Sequence, residues 1–156
     1  MALFKASPEK VEFQELLQQA IAQMRKRHEV VTELSQRPPA IEELPADAPD
    51  DQVAHLLVTE DEARNHIAWW HYAGELTTAE LQTLDRMDWL VANTKVTVPD
   101  DLRNSLAAQR HQSVQAMVIA GVEEESVVAA LLGMSYPDWL GREWTEKQAL
   151  REAAGL

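Results

Sequence analysis

Five histidines are the residues from which this chain could build a reactive or metal-binding centre: His28, His55, His66, His71 and His111. Asp51 lies four residues before His55, and Glu62 four before His66. That spacing puts each pair on one helix face, within reach of a shared metal ion. Neither pair belongs to a HExxH motif, and the paired Glu-x-x-His signature of di-iron bundles does not occur. An acid and a histidine so spaced are far more often a surface pair. Phosphate loops and dinucleotide fingerprints need clustered glycines, and the five glycines here are scattered. There is no nucleophile elbow, and no two carboxylates stand out as an acid and base. The chain has no cysteine, so disulfides and thiolate metal sites are excluded. These residues predict no catalytic group, no cofactor and no metal. His66 and His71, beside Trp69 and Trp70, mark the first place to look for a small site.

Binding chemistry is the alternative to catalysis. The net charge is −12, which repels nucleic acid over most of a surface and suits basic partners. The one dense basic run, Arg25, Lys26, Arg27 and His28, reads as a solvated helix face. Tryptophan and tyrosine are the side chains that protein interfaces use as anchors. Trp69 and Trp70 point about 100° apart on a helix, so both cannot sit centrally in one core face. Trp69, with Tyr72 nearby, is therefore the predicted anchor.

The elements that must position these residues are helices. Ser7 and Pro8 open a long amphipathic helix over residues 7–36, with Phe13, Leu17, Ala20, Met24, Val31 and Leu34 as a narrow apolar stripe that Arg27 interrupts once. A long helix with a narrow stripe wants a partner, so Phe13, Leu17, Met24, Val31 and Leu34 join Trp69 and Tyr72 as predicted partner-binding residues. Pro38 and Pro39 stop the helix, and residues 37–49 read as an extended acidic linker containing Pro45 and Pro49. The rest, residues 50–156, reads as a compact helical domain. Asp50 or Asp51 would cap a short helix carrying Val53, Leu56 and Leu57. Two capping boxes follow, Thr59 with Glu62 and Thr77 with Glu80, which predict one helix ending near Gly74 and another starting after it. Leu102, Leu106, Val114, Met117 and Val118 give the next helix its apolar face up to Gly121. A last helix from about Tyr136 should pack Trp139, Leu140, Trp144 and Leu150 against the preceding helices and fray from Arg151 onward. The fold class is all-α, with about six helices and no strand.

The stretch from Ala120 to Trp144 carries one nameable shape. Gly121 and Gly133 read as helix ends, Glu123, Glu124 and Glu125 as a first turn, and Ser135 as an N-cap. Val128, Ala129, Leu132, Gly133, Met134 and Ser135, with Trp139 at the next core position, resemble the helix-turn-helix module. The resemblance covers residues of about 121–144 and implies a second helix laid against DNA. Arg142 stands where that pattern has an apolar residue, and Gly141 falls inside the second helix. Arg110, Arg142 and Lys147, together with Arg25–Arg27, would be the nucleic-acid contacts.

The functional expectation is a non-enzymatic helical adaptor or assembly factor working through protein–protein contacts or self-association. The alternative is a DNA-associated regulator, or a packaging or replication accessory protein, using the C-terminal unit. An acidic surface imitating DNA is a third reading, carried by charge alone. No apolar run is long enough for a signal peptide or a membrane span, which gives a cytoplasmic expectation and no membrane partner.

Overall fold

A computed structural model describes residues 7–36, 41–42, 55–56 and 59–156. It is all-α apart from one two-residue bridge. Among the described residues there are five helices: α1 (Pro8–Gln36), α2 (Glu60–Asn93), α3 (Asp100–Leu131), α4 (Tyr136–Leu140) and α5 (Trp144–Ala153). The strands β1 (Ile41–Glu42) and β2 (His55–Leu56) pair antiparallel, Ile41 opposite Leu56 and Glu42 opposite His55. The acidic linker and the short helix expected after it otherwise lie outside the described residues.

Two of the expected helix breaks are absent. The helix begun at Thr59 runs through Gly74 and the second capping box without interruption, and α3 runs through Gly121. Neither glycine takes a positive φ. The Thr77 hydroxyl, expected to cap a new helix, instead donates back to the Gly74 carbonyl at 2.9 Å, as does the Thr78 hydroxyl. Beyond its own turn of helix backbone, a Cβ at Gly74 or Gly121 would meet nothing within 4 Å. Gly74→Ala and Gly121→Ala should therefore each stabilise the protein by about 0.5–1 kcal/mol, the difference in helix propensity and unfolded-chain entropy. A lower denaturation midpoint for either variant would mean that the glycine serves a close approach that the structure does not contain.

The chain falls into two compact units: Met1–Glu33 with Ala73–Val118, and Leu34–Tyr72 with Ile119–Leu156. The first is a three-helix arrangement of α1 and segments of α2 and α3. Its core is Phe13, Ala20, Leu84, Met87, Leu90 and Val96, with Leu16, Leu17, Leu102 and Leu106 packed against it. Within this unit Leu102 and Leu106 of α3 pack inward as expected, but the later part of its expected apolar face does not. Val114 (41%), Met117 (36%) and Val118 (57%) are exposed, while Gln109, Ser113 and Ala116 are buried. The inward positions 102, 106, 109, 113 and 116 step by four and three residues, the spacing of a packed seam. Beyond Leu106 small and polar residues occupy that seam, so Val114, Met117 and Val118 are not the ones facing the core.

The second unit is built around Trp139, which is fully buried against Ala63, Ile67, Val127, Val128 and Ala129. Its turn forms as the residues predict. Gly133 takes φ +74° two residues past the end of α3, with Met134 N–H bonded to Ala129 O at 2.8 Å and Gly133 N–H to Ala130 O at 3.1 Å. This is the glycine-closed helix end in which only a residue without a Cβ is unstrained. The Ser135 hydroxyl then accepts from Asp138 N–H at 3.2 Å and caps α4. Glu124 and Glu125, expected in a first turn, lie inside α3. The tail does not end loosely: Leu156 N–H bonds Arg151 O at 2.8 Å, and the Arg64 guanidinium donates to the carbonyls of Ala154 (2.6 Å) and Gly155 (3.3 Å).

Candidate functional site

Among the described residues, three places bring chemistry-bearing side chains together. The first is inside the first unit. Arg27, from the run expected to be a solvated face, is only 6% exposed, and Glu80 is fully buried. Arg27 Nε donates to Glu80 Oε1 at 2.7 Å and Nη2 to Oε2 at 3.3 Å. Gln109 Nε2 donates to the same Oε2 at 2.8 Å and to the Ala20 carbonyl at 2.9 Å. One carboxylate thus ties together side chains of α1, α2 and α3. Arg27 Nε and Nη2 and Gln109 Nε2 all donate to that carboxylate or to backbone, and the groups are buried away from any substrate. Its chemistry is structural.

The second place is a cleft of about 580 Å³ in the same unit. Its apolar walls include Phe13 of α1, Leu84, Met87 and Val91 of α2, and Leu106 and Val114 of α3. The cleft lies between apolar rows of α2 and α3, with Phe13 behind them, and no further side chain of the described residues fills it. Four polar residues edge it: Asp88, Arg103, Arg110 and His111. Arg110 Nη1 bonds Asp85 at 2.6 Å and Nη2 bonds Asp88 at 2.5 Å. Burial disfavours the Arg110 charge, but the hydrogen bonds and fields of Asp85 and Asp88 more than offset it, so its pKa rises above the usual arginine value. At the outer edge of the unit, Arg86 Nε bonds Glu12 at 2.7 Å, and this hydrogen bond first, then the arginine charge, holds the exposed Glu12 carboxyl below its ordinary value against the opposing effect of burial. Arg86 also lies 4.4 Å from the centroid of the Trp89 ring.

The third place is in the second unit. Trp139 Nε1 donates to Glu125, and Arg151 binds Glu125 at 3.3 Å and Glu124 at 3.2 Å. His71 Nδ1 lies 3.3 Å from Glu124 Oε1. The two glutamates therefore join α3 to α5 and to Trp139 of α4. No group of three or more metal-ligand residues occurs among the described residues, at His66 and His71 or elsewhere. His66 Nδ1 is buried with no hydrogen-bond partner. Asp51 lies outside the described residues, so its pairing with His55 does too.

The predicted partner-binding residues divide. Phe13 and Leu34 are each 6% exposed, and Leu17, Met24 and Val31 are half-buried. Trp69 is 45% exposed and meets Tyr72 edge-on, ring centroids 5.9 Å apart. Trp89 (49%) and Trp144 (72%) are also exposed, and neither is among those predicted anchors; Trp144 and Leu140, expected to pack inward beside Trp139, face solvent instead. Among the predicted nucleic-acid contacts, Arg110 is held as above and Arg142 bonds Glu146 at 2.6 Å. Lys147 Nζ sits 5.7 Å from the centroid of the Trp139 ring. Arg25 and Lys26 are exposed. The cleft was not foreseen; no single stretch of sequence carries a signal for a gap shared by three helices.

No helix among the described residues is long and apolar enough to cross a membrane. Compared with protein families, curated proteins and solved structures, the chain matches none of them.

Proposed function

We propose that this chain is a non-enzymatic helical adaptor or assembly factor that acts through protein–protein contacts, with another protein or with its own copies. The observation that supports this reading is the placement of the tryptophans. Trp70 (3%) and Trp139 (0%) serve the chain's own packing, while Trp69, Trp89 and Trp144 are 45–72% exposed. Indole is the most expensive apolar surface to leave in water and the side chain most enriched among residues that dominate binding energy. Trp69 and Tyr72 brace one another, so an incoming surface meets an aromatic pair already ordered.

Point substitution tests this better than truncation, because deleting residues 1–37 would strip Phe13 and Ala20 from a core. Sedimentation velocity over a concentration series and co-purification from the native source should be run on the full chain and on Trp69→Ser, Trp89→Ser and Trp144→Ser. The expected result is weakened association in at least one variant with helix content intact. If the triple variant sediments identically and keeps every partner, the adaptor reading fails.

The rival reading is the DNA-associated regulator or packaging or replication accessory protein. The Gly133 turn and Ser135 cap favour it; the five-residue length of α4 and the carboxylates holding Arg110 and Arg142 weigh against it. Anisotropy of a labelled duplex separates the two readings. Saturable, steeply salt-dependent binding that Arg142→Glu with Lys147→Glu abolishes would put the DNA reading first.

A further inference from the structure

We infer that the cleft of the first unit is a binding site for a small amphiphilic anion, an apolar body carrying one carboxylate. This goes beyond the adaptor reading and does not depend on it.

Size and lining come first. A space of about 580 Å³ falls within the range of small-molecule sites, which are typically about 300–1,000 Å³ and mostly apolar with a few placed polar groups. Its walls are Phe13, Leu84, Met87, Val91, Leu106 and Val114. Water in such a space would find few hydrogen-bond partners on the walls, so an apolar body gains by displacing it. Phe13, Leu84 and Met87 are already packed in the core, so the inner wall is preformed.

Charge decides the head group. Arg110 is engaged by Asp85 and Asp88, and Asp88 in turn by Arg110, so neither faces the opening with a free charge. Arg103 lines the same opening, is exposed and makes no ion pair among the described residues. His111 stands one residue beyond Arg110 on the rim and carries no acidic partner among the described residues. The rim of a strongly acidic chain therefore offers one uncommitted guanidinium beside a hydrophobic space. A guanidinium pairs a carboxylate through parallel N–H bonds, which an ammonium head group could not accept. The ligand is thus an anion whose tail enters between α2 and α3 while its head stays at Arg103.

Isothermal titration of the full chain with decanoate, and separately with decyltrimethylammonium, tests this. The two probes share a tail and differ in head charge. Decanoate should saturate a single site, with the cation weaker by roughly tenfold, the value of one charge-assisted pair. Two variants at exposed positions of α3 locate the site without touching the core. Ala107→Trp should abolish decanoate binding by filling the cleft, and Arg103→Glu should invert the preference between the two heads. Helix content of both variants is checked by circular dichroism; if either unfolds, Ala107→Leu and Arg103→Gln replace them. No saturable binding of decanoate below its micellar concentration would overturn the inference. So would binding indifferent to head charge, or binding undiminished in the filled variant.

Discussion

Replacing Glu80 with alanine should destabilise the protein by about 3–5 kcal/mol, the loss expected when one partner of a buried ion pair is removed and the other charge is left in the interior. Arg27 is then a guanidinium only 6% exposed with no carboxylate, and Gln109 keeps only the Ala20 carbonyl. Arg27→Met should have a similar effect from the other side, because a fully buried carboxylate keeps only Gln109. The opposite outcome is expected when the whole cluster is exchanged. Arg27→Met, Glu80→Leu and Gln109→Leu together should be neutral, or stabilising by about 1–4 kcal/mol, since taking both charges out of water costs about as much as their attraction returns. Urea denaturation followed by circular dichroism measures all of these. If Glu80→Ala lost less than about 1 kcal/mol, water would have to reach Arg27 and the cluster would not be interior. The triple variant also asks what the cluster is for. One carboxylate accepting from two helices fixes which turn of α1 faces which turn of α2 and α3, a role best attested for polar groups placed at single seam positions.

In the second unit the largest effect belongs to Trp139. Trp139→Ala should remove about 3–5 kcal/mol, the range for deleting a large aromatic from a packed core. The indole is fully buried among Ala63, Ile67, Val127, Val128 and Ala129, small neighbours that cannot move in far enough to fill the space. Trp139→Phe separates packing from hydrogen bonding. It keeps most of the apolar volume and loses the N–H that Glu125 accepts, so it should remove only about 1.5–3 kcal/mol. Equal losses in the two variants would show that the hydrogen bond, not the ring, holds α4 in place. A loss below about 0.5 kcal/mol for Trp139→Ala would contradict the burial itself.

These two cores show which parts of the molecule the residues announced. The helix class was legible because apolar positions recur at three and four residues and because caps such as Ser135 act locally. The Gly133 turn was legible for the same reason: its chemistry is contained within six residues. Gly74 and Gly121 misled because a glycine signals a helix end only where the backbone turns left-handed, and whether it does is decided by what packs further along the helix. Arg27 misled because its partner is 53 residues away, and a charge on an apolar stripe looks solvated until that partner is known. The setting of the later part of α3 was hidden because its seam there carries Gln109, Ser113 and Ala116, residues that are inward for fit rather than for hydrophobicity. The angle between Trp69 and Trp70 says only that both cannot sit centrally in one core face; packing decides which, and it buries Trp70 and leaves Trp69 exposed. The cleft had no local signal, since a space is a property of packing between helices.

The placement of the tryptophans has a spectroscopic consequence. Both buried indoles, Trp70 and Trp139, belong to the second unit, whereas the first unit holds only Trp89, half in solvent with an arginine over its face. Intrinsic emission therefore reads the two halves of the molecule unequally. Melting of the second unit moves two indoles from an apolar setting into water and shifts the spectrum to longer wavelength. Melting of the first changes the surroundings of an indole that is wet already, and leaves that signal almost where it was. Helical ellipticity, by contrast, weighs both units by their backbone. A thermal scan recorded in both signals at once would thus resolve the order in which the two cores are lost, with no label attached and no residue changed.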